Sequence, residues 1–421
     1  MHYFQKFKQV SFILLLPFGS LSAKATIGPD VEAVSYTQAL QRAIAADPRF
    51  ELNATLAEAS EGQVEQAKLR PNPVVGTEIE NFLGTGPLRG VQGLELTLGI
   101  SQVIETGEKR ARRTDLARAE GALIDWERES LMARIEASVR SAFVDVLLAQ
   151  EVLGLRGEQL DLAERSAEET SRLVEAARSP KVEQTRAELA VRRYRFARQQ
   201  AERGYAAAKS VLSSFWSQSA DTDFSVAGDV KLKSKPPEFS KLAAKLSHTA
   251  AVARYAVLEQ ARQAAVDLER ARATPDVEVF AGGRYLNEEA GNAGFLIGVE
   301  VPWPIFDKNQ GNIRTARAQL RAVDQERKAA HRELMITLNR AYQQLLSAHE
   351  ESIAIHSELL PAAEATLRDT EEGYERGQFQ QLVVLESRRA LFEVREAYLE
   401  SLQRYATAQA EIESLTRPAN L

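Results

Sequence analysis

Two stretches of this chain alternate between apolar and polar residues, and nearly everything else follows a three-to-four-residue period. Leu94, Leu96, Leu98 and Ile100 fall on one side of the first stretch; Glu95, Thr97, Gly99 and Ser101 fall on the other. Just upstream, Val75, Thr77 and Ile79 alternate with Gly76, Glu78 and Glu80. A period of two marks strands with one apolar and one polar face. The pattern returns about two hundred residues later, which signals an internal repeat. There Val277, Val279 and Ala281 oppose Glu278 and Gly282, and Phe295, Ile297, Val299 and Val301 oppose Gly298 and Glu300. Phe280 and Leu296 break the rule by standing on the polar side.

Each predicted hairpin opens into a helix of unusual length. Residues 109–155 contain no proline and no glycine except Gly121 and Gly154. At ~1.5 Å per residue, such a helix is about 70 Å long. Leu131, Ile135, Val139, Ala142, Phe143, Val146 and Leu147 form its apolar stripe. In the second copy, over residues 311–360, Leu334, Leu338, Ala341 and Leu345 form the stripe. A narrow apolar seam with charged flanks is the pattern of coiled-coil helices. The glycines at 154 and 157 predict a chain reversal, followed by a return helix broken at Ser179-Pro180 and continuing over residues 181–215. In the second copy the return is expected from Pro361, interrupted at Gly377 and ending near residue 415. A short amphipathic helix is predicted over residues 36–47, stopped by Pro48, and another over residues 51–69.

The resulting organisation is two repeats. The first spans residues 26–215, with strands over 73–102 and long helices over 106–215. The second spans residues 241–421, with strands over 276–302 and long helices over 308–415. Residues 216–240, rich in Ser, Asp, Lys and Pro, form a linker with a short strand expected around 224–226. Residues 1–25 have the features of an export signal: Lys6 and Lys8, an apolar run over 10–18, and the small-residue site Ala23-Lys24-Ala25.

Charge and composition narrow the function. The net charge of −6, with both signs finely interspersed, leaves no basic footprint for nucleic acid. The absence of cysteine removes disulfides, thiolate metal sites and cysteine nucleophiles. His248, His331, His349 and His356 are scattered among charged helical residues, and His349 and His356 stand two helical turns apart, too far to share an ion without a third group. No HExxH, GxSxG or P-loop occurs, and Gly282-Gly283 fits a strand better than a phosphate cradle. No enzyme, resident metal or cofactor is therefore expected.

The alternating strands fit two settings. One is a half-buried sheet on a soluble core. The other is a membrane barrel with apolar residues toward lipid and Glu78, Glu95, Glu278 and Glu300 toward a wet lumen. Four strands cannot close a barrel, and open edges are not tolerated in lipid. Several chains must then share it, and three chains supply twelve strands. Export of a helix-rich chain favours the membrane setting.

The chain resembles the TolC-type outer-membrane efflux channels over essentially all of its mature length. The duplicated halves carry the resemblance, as does GYERGQFQQLVVLESRRALFEVREAYLESLQRYATAQAEIESLT over residues 373–416. The first hairpin is similar to the cobalt–zinc–cadmium resistance branch through Asn72-Pro73, Glu80-Asn81, Ser101-Gln102 and Glu105. That branch has GGKR where this chain has Gly107-Glu108-Lys109-Arg110.

The resemblance implies a mainly α fold with a small transmembrane β part. A homotrimer would form one 12-stranded barrel in outer-membrane lipid, four strands per chain, above a coiled-coil α-helical barrel in the periplasm. It implies docking on a periplasmic adaptor and an inner-membrane resistance–nodulation–division pump. The expected role is an exit duct for heavy-metal cations; ducts for drugs, organic compounds or secreted proteins share the architecture. A soluble periplasmic coiled-coil scaffold is the alternative of a different class. By resemblance, the periplasmic aperture falls at Tyr374, Gly377 and Glu386. Val383 stands where the family has a second acid, Phe379 where it has a basic residue, and Lys181 where an acid is expected in the first repeat.

Overall fold

A computed structural model describes residues 32–217, 224–228, 232, 235–287 and 291–419. The export signal predicted over residues 1–25, and parts of the 216–240 linker, lie outside the described residues. In chain order the elements are β1 (Glu32–Val34), α1 (Tyr36–Ala46), α2 (Pro48–Lys68), β2 (Val74–Glu80), β3 (Glu95–Ile104), α3 (Lys109–Glu175) and α4 (Lys181–Ser213). There follow β4 (Phe224–Val226), α5 (Phe239–Lys245), α6 (Ala250–Arg272), β5 (Val277–Leu286), β6 (Asn292–Glu300), α7 (Gln310–Ala354), α8 (Leu360–Glu375) and α9 (Gln381–Leu415).

The molecule is a long pillar under a small sheet. At 67 residues, α3 alone is about 100 Å long. The accessible surface is 28622 Å², against about 16,000 Å² for a globular protein of this mass. The sheet is antiparallel in the order β2-β3-β5-β6. Beneath it α2 packs on α3, α3 on α6 and α6 on α7, so a row of four helices repeats the order of the four strands. In the lower half the row becomes α4, α3, α9 and α8.

The apolar seams pack into two separate cores near mid-height, one per repeat. The first joins α1, β1 and β4 to α3 through Val34, Ala39, Ala43, Leu131, Ile135, Val139, Phe143 and Val146. The second joins α5 and α9 to α7 through Leu242, Leu246, Leu338, Ala341, Leu345, Tyr405 and Ile412. An aromatic pair marks the duplication: Tyr36 meets Phe143 in the first core, and Phe239 meets Tyr342 in the second, with the hydroxyl on opposite members.

Two expected chain reversals need correction. The chain does not reverse at Gly154 and Gly157; α3 runs through both. A glycine costs a helix interior only about 1 kcal/mol, and packing against α4 and α9 outweighs it. Nor does it reverse at Pro361. The missing proline N–H and the clash of its ring with the fourth preceding carbonyl are accommodated by a π turn at Ile355–Leu359, and the helix continues to Glu375. The short helix α1 does end ahead of Pro48, and the same proline opens α2, which starts three residues earlier than expected. Pro48 occupies the first turn of α2, where its lack of an N–H is harmless, and the Asp47 carboxylate accepts the Arg49 backbone N–H. The parallel pairing of β1 with β4, which ties the start of the described chain to the linker, was not foreseen.

Candidate functional site

Two surfaces carry the chemistry: one face of the sheet, and the turns at the opposite end of the pillar. Register assigns every strand residue to a face. Val75, Ile79, Leu98, Ile100, Ile297 and Val299 share the outer face and are exposed; Phe295 is 98% accessible. The outward stripe of β6 continues past its end, through Val301 to Trp303, which is 85% accessible. From Phe295 to Trp303 it extends about 26 Å along the chain at ~3.3 Å per residue.

Glu78, Glu95, Glu278 and Glu300 fall together on the inner face. Glu278 stands directly opposite Glu300, and among the described residues neither of these, nor Glu78, makes an ion pair. Glu95 differs: Arg284 reaches it at 2.7 Å, Glu80 at 3.2 Å and the Thr97 hydroxyl at 3.0 Å. Arg284 was missed at the sequence level because its partners come from other strands, and only the register joins them. The register also explains Phe280. Its ring lies over the bare Cα atoms of Gly99 and Gly282, where an added Cβ would come within 2.2 Å and 2.9 Å of it. The apolar ring thus fills the space that missing side chains leave on a polar face.

Where sheet meets pillar, the handover is fixed by polar contacts. Glu105 binds Arg113 at 2.6 Å, Lys109 binds Asp276 at 2.8 Å, and Arg113 donates to the Ala67 and Leu69 carbonyls that end α2. In the second repeat the Asn309 amide donates to the Glu269 carbonyl.

The far ends of the two repeats carry the same turn, two hundred positions apart. In the first, the Ala177 N–H donates to the Val174 carbonyl and the Arg178 N–H to that of Leu173; in the second, Gly377 donates to Tyr374 and Gln378 to Gly373. Ala177 and Gly377 both have positive φ, +56° and +72°. Ion pairs between α3 and α9, Arg140 with Glu413 at 2.6 Å and Glu158 with Arg395 at 3.0 Å, bring the two turns to one end of the pillar. Tyr374 is half-buried at the end of α8, and Gly377 makes the reversal. Val383 is half-buried and Glu386 exposed in the opening turns of α9, while Lys181 is exposed at the start of α4. Phe379 folds back over Gly373, where an added Cβ would sit 2.3 Å from its ring, and Arg388 binds Glu371 at 2.7 Å to tie α9 to α8.

Near mid-height, Arg140 also binds Glu136 at 3.0 Å and lies 4.7 Å from the centre of the Tyr36 ring. Burial pushes the Tyr36 phenol up to about 12, against the pull of the neighbouring guanidinium, and its oxygen has no hydrogen-bond partner. His349 packs on Tyr405 and His356 stacks on Tyr398, 5.4 Å between ring centres. Among the described residues, no three His, Asp or Glu side chains gather to hold a metal ion, and no helix is long and apolar enough to cross a membrane.

Residues 243–416 match the family described as outer membrane efflux protein. The chain is 30% identical over 358 residues to the cobalt-zinc-cadmium resistance protein CzcC of Cupriavidus metallidurans, covering 85% of this chain and 84% of that one. Its fold is similar to that of a membrane protein from Pseudomonas aeruginosa, with a TM-score of 0.71 at 16% identity over 92% of this chain and 91% of the other. The outer-membrane channel OprN is comparable, with a TM-score of 0.71 at 15% identity over 90% and 89%.

Proposed function

This chain belongs to the outer membrane efflux protein family, and on that basis we propose that three copies form the exit duct of a tripartite pump that expels heavy-metal cations. The sheet carries this reading. It has an exposed apolar outer face, an acidic inner face and two unpaired edges, β2 and β6. Lipid accepts the apolar face but not the edges. Joining β6 of one copy to β2 of the next, three times over, removes the edges and closes a twelve-stranded barrel. The same closure sets α4 of one copy beside α8 of the next, covering Val182, Leu189 and Phe196, which a single chain leaves more than half exposed.

The duct catalyses nothing. Cations pass from the periplasmic turns through the helical tunnel and along the inner face of the sheet, where Glu78, Glu278 and Glu300 favour positive charge without a cluster that would retain it. Passage requires binding weak enough to release. Lys181, Tyr374, Gly377, Val383 and Glu386 line the periplasmic aperture, which docks on an adaptor protein. The energy comes from an inner-membrane pump of the resistance–nodulation–division class. The name of the CzcC relative supports cobalt, zinc and cadmium as cargo.

The test is a deletion strain challenged separately with cobalt, zinc and cadmium salts and with organic drugs. Metal sensitivity rescued by the intact gene is expected; drug sensitivity alone would overturn the cargo assignment. A heat-modifiable trimer in the detergent-extracted outer membrane is expected alongside. A monomer released with the soluble periplasm would leave only a coiled-coil scaffold.

A further inference from the structure

The upper row of helices ends in two charged edges of opposite sign. On α2, Glu58, Glu61 and Glu65 lie three and four residues apart on one face, exposed and without an ion pair among the described residues. On α7, Arg314, Arg317 and Arg321 repeat that spacing, again exposed and unpaired. No cation lies between Glu51 and Lys68 on α2, and no acid precedes Asp324 on α7. Like charges three and four residues apart repel one another. Glu65 also stands in the last turn of its helix, where the helix dipole disfavours an anion. An isolated chain therefore gains nothing from either stripe.

We propose that these stripes are two halves of one contact, an interdigitated ladder in which α7 of one copy pairs with α2 of the next. The proposal rests on the shared-barrel reading. The row α2, α3, α6, α7 follows the strand order β2, β3, β5, β6, so closing the sheet at β6 and β2 also brings α7 against α2. The two helices run antiparallel. Their heights can be compared through contacts along the row: Gly121 against Ser60, Gly107 against the Ala271 carbonyl, and Asn309 on the Glu269 carbonyl. With a common rise of ~1.5 Å per residue, Arg314, Arg317 and Arg321 lie level with Thr114, Ala117 and Gly121 of α3. Glu65, Glu61 and Glu58 lie level with Leu116, Glu120 and Leu123. Glu65 thus falls between Arg314 and Arg317, and Glu61 between Arg317 and Arg321. Each stripe sits about a third of a turn round its helix from the stripe packed into the row. Because the helices run in opposite directions, both stripes face the same side of the wall.

The chain has no cysteine, so thiol crosslinking tests the contact directly. Packed helices lie 8–10 Å apart, whereas α2 and α7 of one chain stand at opposite ends of a four-helix row, about 25–30 Å apart. A short bismaleimide, able to bridge one pair of packed helices but not the width of the row, can therefore join these positions only between chains. The variants Glu61→Cys with Arg321→Cys, and Glu65→Cys with Arg317→Cys, are expected to give linked dimers and trimers in outer membranes, and each single-cysteine variant none. Arg314→Glu, Arg317→Glu and Arg321→Glu together are expected to lower the temperature at which the trimer band collapses, with recovery when Glu58→Arg, Glu61→Arg and Glu65→Arg are added. A normal trimer band with no linked product from either pair, or no recovery when both stripes are reversed, would overturn the ladder and leave the duct intact. Absence of a trimer in the unaltered protein would overturn the duct itself.

Discussion

Glu108 and Asn309 hold the same backbone conformation at the same point of their repeats, with φ of +62° and +56° where each strand gives way to a long helix. Such a conformation costs a residue with a Cβ about 1–2 kcal/mol, and glycine escapes that cost. The departure from GGKR at Glu108 is thus a small strain at a critical junction. Glu108→Gly is expected to stabilise the protein by about 0.5–1 kcal/mol, because glycine's extra freedom when unfolded takes back part of the gain and the exposed pair with Arg112 contributes little. The midpoint of denaturation of the detergent-purified protein measures it. The periplasmic turns make the complementary case. Gly377→Ala should cost about 1 kcal/mol and Ala177→Gly should return a similar amount, since the two positions share one turn and Gly377 has open space around it. The interruption at Gly377 was legible in the sequence, but Ala177 gave no sign, because alanine is the residue a helix favours most.

The strands were the most readable elements, because period-two alternation depends only on near neighbours. The two hairpins were readable as well, but the pairing of β3 with β5 and the exact register were not, and with them went Arg284, whose three partners lie on two other strands. Helix lengths were misjudged for a different reason. Gly154, Gly157 and Pro361 are breakers by local propensity, and what overrides them is packing along a hundred-ångström seam that no short window contains. At mid-height the α1 contact makes a pH-dependent prediction. The Tyr36 phenol is held neutral by burial up to about 12, above its ordinary value of 10.0. Its contribution is therefore complete below pH 10 and is lost as the pH rises from there toward 12. Tyr36→Phe removes a buried oxygen with no partner. Stability at neutral pH is expected to change little, while alkaline unfolding shifts to higher pH, as read from far-UV circular dichroism during base titration.

At the scale of the whole molecule, a one-residue step along β6 crosses from lipid to water. Ile297→Arg places a charge on the outer face at a cost of about 2–4 kcal/mol near the bilayer centre. It is expected to deplete the protein from the outer-membrane fraction. Leu296→Arg, on the inner face opposite Gly282, is expected to leave that fraction unchanged. Equal loss from both variants would count against the lipid-facing assignment. The architecture as a whole was legible because duplication, alternation and seam all pointed one way, and because a sheet with one apolar face and too few strands has few solutions. The match between strand order and helix order was not, since it exists only after folding. The two open edges of the sheet also bear on inheritance. A ring of three needs three sound seams, so one copy with a damaged edge spoils every assembly it enters. A cell making sound and damaged copies equally, and assembling them at random, would retain only about one intact ring in eight. An edge-strand mutation should therefore be dominant over the normal gene, whereas a simple deletion should be recessive to it.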